Sequence, residues 1–226
     1  MFGYITSLFR DPRGTLIFFL LAFPGRLFAI SAHEFAHAWV ADKCGDPTAR
    51  NLGRLTLNPM KHLDPLGLVM MLLLGFGWAK PVPVNPRNYR NFRRDDLLVS
   101  LAGIAMNLIL FLLSGLIVCL ISVRMQLRGG GRLLGYVYQM FEYFMITNIS
   151  LAVFNLIPIP PLDGWHLLND TVLKGRLRLN PNAFRVIQLL LVAACLTGML
   201  SKGLSTVNRA VYDAVANLFL LPLGGV

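Results

Sequence analysis

The sequence predicts an all-α, multi-pass membrane protein with about five transmembrane helices and one re-entrant segment, and three observations predict it. The 226 residues are 55% hydrophobic and only 14% charged, where a soluble domain carries about 25% charge. The apolar residues collect into long runs at 14–41, 66–79, 97–123, 133–160, 184–200 and 204–221. The basic residues behind the net charge of +10 lie between those runs, which is the positive-inside pattern of a bilayer protein. With mean hydropathy at +0.60 and no basic amphipathic face, nucleic acid is not an expected partner. Lipid is.

The runs differ in how well they suit a bilayer. The first, 14–41, is long for one pass, and Pro24-Gly25 inside it should kink or tilt it. The stretch before it does not read as a cleaved secretory leader. Residues 29–32, AISA, faintly resemble a cleavage site, but cutting there would remove the apolar half of the run. The second run has only 14 residues and is followed by KPVPVNP. A span needs roughly 20 residues, so this one is expected to be re-entrant or interfacial. The third and fourth runs are comfortable spans, and the last two are minimal ones.

Charge supports the re-entrant reading. If 66–79 returns to the side it left, stretches 42–96 and 174–185 share a face and carry thirteen Lys and Arg. The opposite face has six: Arg10, Arg13, Arg124, Arg128, Arg132 and Lys202. The richer face is then cytoplasmic. A spanning 66–79 would split the basic residues almost evenly. Without internal repeats or low-complexity tracts, residues 1–226 read as a single integral membrane domain. Cys44, Cys119 and Cys195 form no CxxC pair and read as small buried hydrophobes.

Ionisable side chains within membrane segments are costly and mark function. The first run contains H33-E34-F35-A36-H37, the HExxH pattern. On a helix, positions i and i+4 lie on one face, so both imidazoles can bind one cation. Glu34 projects beside it, placed to take a proton from a water. A polar cluster within a helix bundle, or a proton relay, is the plainer alternative. A catalytic zinc site uses three protein ligands, and the downstream positions of HExxHxxGxxH hold Val40 and Lys43. The third ligand must come from elsewhere.

Four residues are candidates. His62 lies in a polar loop with prolines and reads as solvated or structural. Glu142 sits at a different depth from His37 if its run is helical. Asp163 ends the sequence N155-L-I-P-I-P-P-L-D163, where the fourth run returns toward the face that the first run reaches at His37. A carboxylate delivered there can complete the site, with His166 as its rival. Pro158, Pro160 and Pro161 forbid a continuous helix before Asp163, so the unwound backbone should line a wet cavity or be buried in protein. Asn155 could donate to an oxyanion or serve as a cap or interhelical bond. Asn107 is a second buried amide; facing substrate competes with a packing role beside Gly103.

Taken together, H33-E-F-A-H37, N155-L-I-P-I-P-P-L-D163-G164, G53-R-L-T-L-N-P-M-K-H-L-D-P-L-G67 and G77-W-A-K-P-V-P-V-N-P86 resemble the site-2 protease family of intramembrane zinc metalloproteases, in its compact branch without a PDZ domain. The resemblance implies a three-helix catalytic core with Zn2+ on His33, His37 and Asp163. It implies Glu34 as general base and acid, with Asn155 stabilising the scissile peptide. It also suggests that Trp78 to Asn85 forms an edge along which extended substrate can pair. The family usually has Gly-Pro before the third-helix Asn, and here Ile104 replaces the Pro, which weakens the transfer for Asn107 as a substrate-binding residue. The expected substrates are membrane-anchored proteins cut in or beside their transmembrane segments, from a cell-membrane site on the cytoplasmic side. The oligomeric state is not set by the sequence. The rival function is a membrane carrier of zinc or protons using the same cluster. Against it stand the lack of paired halves and the crowding of charge at one end of the spans.

Overall fold

The computed structural model describes residues 9–74, 77–173, 177, 179–198, 200, 203, 205–207, 209–211 and 213–214. Helix α1 spans Pro12–Lys43, α2 Pro65–Leu74 and α3 Phe92–Arg128. Helix α4 spans Arg132–Asn155, α5 Asp163–Thr171 and α6 Pro181–Leu196. One antiparallel bridge, Leu63 to Ala79, is the β contact found among the described residues. The sixth apolar run lies largely outside them, as do Lys174, Arg176, Arg178 and Lys202.

Local chemistry explains the helix ends. The Asp11 carboxylate accepts from the Gly14 N–H, and Pro12 follows at the first helical position, where a missing N–H is harmless. Asn91 starts α3, its side chain accepting from Arg94 N–H while its own N–H donates to Asp95. Helix α1 continues through Pro24 as one unbroken helix. Helix α4 stops at Asn155, before the proline cluster, so the apolar run reaching 160 is helical only in part.

Helices α1, α3 and α4 pack against one another, and α5 packs on α3. Ala29, Ala32 and Ala36, together with Ser31, Ser114, Asn107 and Asn148, are almost wholly enclosed, and Phe111, Met145 and Ile149 pack into a buried cluster. Many leucines face outward. On α3, Leu112, Leu113, Leu116 and Leu120 are between 43% and 61% exposed. In water this would be a misfolded surface. In lipid it is the expected one, because small residues let helices approach while leucine meets the acyl chains. Helices α1 and α3 are long and apolar enough to cross a bilayer. Helix α4 has 24 residues, long enough to cross, but Gln139, Glu142, Thr147 and Asn148 dilute its apolar content.

The segment after His62 folds back on itself. Helix α2 has ten residues, which gives it a length of about 15 Å, half the hydrocarbon thickness. Beyond it the chain returns to its starting point: Lys80 N–H donates to His62 O at 2.8 Å, and Ala79 pairs with Leu63. The two ends of the segment thus lie side by side. The closure needs Gly67, where an added Cβ would sit 2.1 Å from Trp78 O.

Because the obstruction at Gly67 is backbone, Gly67→Ala should destabilise the chain by about 1–3 kcal/mol, measured as detergent unfolding. Gly135→Ala, on α4 with open space around the added carbon, should be neutral or stabilising, since alanine favours helix over glycine.

Candidate metal centre

His33 and His37 stand one turn apart on α1 with their rings edge to face. Their Nε2 atoms are 3.0 Å apart. Asp163, the first residue of α5, brings Oδ2 to 3.3 Å from His33 Nε2 and 3.4 Å from His37 Nε2. The chain travels from α4 through the proline turn to deliver it, and the start of a short helix is a favourable place for a carboxylate.

The orientation of both rings follows from what surrounds them. Val99 O lies 2.7 Å from His37 Nδ1 and is only an acceptor, so Nδ1 donates to it and Nε2 is the nitrogen turned toward the site. For His33 the reasoning passes through two amides. Asn148 Nδ2 donates to Phe144 O, which turns Asn148 Oδ1 toward Asn107 Nδ2. Asn107 Nδ2 donates there and to Ala29 O, leaving Asn107 Oδ1 to face His33 Nδ1 at 2.6 Å. His33 Nε2 is likewise the nitrogen turned toward the site. Asp163 Oδ2 is buried with no hydrogen-bond donor. Two imidazole nitrogens and a carboxylate oxygen therefore converge on one point.

That donor set fits a zinc ion. A tetrahedron with bonds of about 2.0–2.1 Å has edges of about 3.3 Å, and the three observed separations are 3.0, 3.3 and 3.4 Å. Each imidazole is also oriented through its far nitrogen, as metal-binding histidines usually are. Gly103 keeps the space open: an added Cβ would lie 2.4 Å from His37 Nε2 and 2.5 Å from His33 Cε1.

The other expected residues are placed as follows. Glu34 Oε2 accepts from Val82 N–H at 2.8 Å. Asn107, expected to face substrate, is fully enclosed, and its amide is committed to His33, Ala29 and Asn148. A position without exposure and with every polar atom engaged presents no surface to a substrate. Asn155 ends α4 with Nδ2 donating to Leu151 O at 3.0 Å. His62 is 1% exposed and holds Thr56 O through Nε2, a structural placement. His166 leaves Asp163 and instead approaches Asp96, Nδ1 to Oδ2 at 3.2 Å.

Asp96, His166 and Asp170 form a second group of metal-capable side chains. The Asp96 carboxylate raises the pKa of His166 against the opposing effect of burial. Asp170 is pushed up to about 6, first by burial and then by the facing Asp96 carboxylate. Sequence reasoning missed Asn148 and Val99. Asn148 carried a usable signal, an amide within an apolar run, whereas a backbone carbonyl has none.

Residues 132–199 match the profile of peptidase family M50. The chain is 43% identical over 152 residues to the "Putative zinc metalloprotease YwhC" of Bacillus subtilis, an alignment covering 66% of this chain and 68% of that protein. It is 31% identical over 175 residues to the "Putative zinc metalloprotease Rip2" of Mycolicibacterium smegmatis, covering 75% of this chain and 61% of that one. The Mycobacterium tuberculosis protein of the same name is 32% identical over 161 residues, covering 66% and 56%. No solved structure matches. A metal-ready triad of two imidazoles and a carboxylate beside a glutamate, on helices with a lipid-type surface, defines a membrane metalloprotease. The chain belongs to peptidase family M50, the site-2 protease family.

Two tests follow from this geometry. Gly103→Ala should weaken zinc binding at least tenfold, measured as metal content after dialysis, with helical circular dichroism retained. For Asp170 the folded value lies above the unfolded 3.8, so the folded chain holds that proton more readily. Its stabilising contribution is complete below the unfolded value and is lost as pH rises through about 6. Asp170→Asn should therefore raise the thermal midpoint over wild type at about pH 7.5, with the gap closing toward about pH 4.

Proposed function

We propose that the chain is an intramembrane zinc endopeptidase that hydrolyses peptide bonds within or beside the transmembrane segments of membrane-anchored proteins. The observation that carries this reading is the meeting of His33 Nε2, His37 Nε2 and Asp163 Oδ2 within 3.4 Å, one residue from Glu34. In this reading residues 1–226 form one integral membrane domain with about five spans. The hairpin at 66–79 is re-entrant, and the site opens toward the cytoplasmic face, where the positive-inside bias places the richer loops.

His33, His37 and Asp163 would hold the zinc ion. When bound, zinc supplies Lewis acidity, polarising a carbonyl and bringing the pKa of a water toward neutrality. Glu34 does the proton work, taking a proton from the attacking water and returning it to the leaving amine. Its Oε2 is fixed by Val82 N–H, which leaves Oε1 for the water. Asn107 and Asn148 orient His33, and Val99 orients His37. Asn155, at the end of α4 where the chain unwinds, is the amide nearest in sequence to the proline turn and is assigned to steady the scissile peptide once its own helix releases it. Trp78 to Asn85 supplies the edge along which an unwound substrate strand lies. A substrate helix must unwind first, because its carbonyls are committed to their own hydrogen bonds.

Glu34→Gln should retain zinc at wild-type stoichiometry and lower cleavage of a membrane-anchored reporter by at least about a thousandfold, through loss of the general base. Asp163→Asn should lower zinc affinity and cleavage together. Full proteolysis by purified Glu34→Gln would overturn the reading. So would zinc flux into proteoliposomes by a wild-type chain that cleaves nothing.

A further inference from the structure

We infer that Arg54 is a positioning residue for Glu34, acting through the single peptide unit between Pro81 and Val82. The inference rests on Glu34 being the base of the proposed reaction and deepens that reading.

Glu34 is a flexible side chain that must keep one orientation, and the contact holding it is Val82 N–H at 2.8 Å. Val82 stands between Pro81 and Pro83, neither of which has an N–H, so this tripeptide offers Glu34 one donor. The Val82 N–H and the Pro81 C=O belong to the same planar peptide. That peptide is trans, since the cis bond found joins Pro160 and Pro161, so its N–H and C=O point in opposite directions. Glu34 takes the N–H end. Arg54 takes the other: its Nη2 donates to Pro81 O at 3.3 Å and to Lys80 O at 2.7 Å.

The order is therefore guanidinium, carbonyl, amide N–H, carboxylate. A cation sits at the negative end of a peptide dipole and an anion at the positive end. Hydrogen bonds linked this way polarise and strengthen one another. The arrangement also accounts for an expensive feature. Arg54 is 8% exposed, and its Nε has no partner, although buried charge is normally paired directly. Its nearest anionic counterpart along these bonds is Glu34, one peptide away.

The surrounding frame holds the segment at separate points. Lys80 N–H is held by His62 O, Ala79 by its bridge to Leu63, and Asn85 N–H by Asp46 at 2.6 Å. Loss of Arg54 should free the peptide that meets Glu34 while leaving these anchors in place. Arginine suits the task better than lysine because its planar fork fixes direction as well as charge.

The test compares wild type, Arg54→Gln, Arg54→Lys and Glu34→Ala as full chains in nanodiscs. Amide hydrogen exchange is read on overlapping fragments across 79–86, where the prolines leave few amides to resolve. In metal-free protein, Val82 should exchange slowly in wild type and about tenfold faster in both Arg54→Gln and Glu34→Ala, with Lys80 and Asn85 unchanged. In the zinc-loaded chain, Arg54→Gln should lower kcat about tenfold with KM within about twofold and metal content intact. Arg54→Lys should fall between wild type and Arg54→Gln on both readouts, and it carries the test alone if Arg54→Gln does not fold. Slow Val82 exchange in the Arg54 variants overturns the inference. Simultaneous release of Lys80, Val82 and Asn85 also overturns it, because Arg54 would then merely hold the segment together. The exchange experiment needs no substrate, so it decides the role of Arg54 even if wild type cleaves nothing and the proposed function falls.

Discussion

The structure is organised around three metal-capable atoms brought to one point. His33 Nε2, His37 Nε2 and Asp163 Oδ2 lie 3.0 to 3.4 Å apart, and much of the nearby architecture serves to keep them there. Val99 O and Asn107 Oδ1 hold the protons on the far side of each ring. Asn148 keeps Asn107 from turning over. Gly103 provides the clearance. The three packed helices are thus joined through an amide chain that ends on the candidate metal site: Asn148 on α4, Asn107 on α3 and His33 on α1. Removing any link lets a ring rotate or take the wrong tautomer.

The second organising feature is the inverted surface. Small and polar residues share the interior with Phe111, Met145 and Ile149, and many leucines point outward. That pattern is what allows two asparagines to be wholly enclosed without penalty, since each finds partners on neighbouring helices. It also lets Gly103 bring α3 against the histidines of α1. The folded-back segment at 63–80 adds a contribution from outside the three helices, reaching the same site through Val82 and Glu34.

Much of this could be read in the sequence, for reasons that can be stated. Side-chain ligands at i and i+4 leave a spacing, so His33 and His37 were visible. Asp163 was visible because prolines end the helix just before it and return the chain to the same level. The fold-back of the short apolar run showed through its length. Element ends were less legible. Helix α3 begins at Phe92 and ends at Arg128, beyond the apolar run 97–123, because charged residues at its ends are helical without being apolar. Contacts made by backbone were invisible: Val99 O and the Pro81–Val82 peptide have no residue type to betray them. The role of Asn107 stayed open because a buried amide looks the same in sequence whether it meets a substrate or an imidazole. The link from Arg54 to Glu34 crosses twenty residues in sequence and passes through a peptide 28 residues further on, so no local pattern records it.

X-ray absorption on the zinc-loaded chain tests the central claim most directly, because it reports the atoms around the metal without requiring a substrate. The account predicts a first shell of nitrogen and oxygen at about 2.0–2.1 Å with outer scattering from two imidazoles, reduced to one imidazole when either His33 or His37 is replaced. A sulfur neighbour at about 2.3 Å, or a shell unaltered by loss of His33, His37 or Asp163, would contradict it.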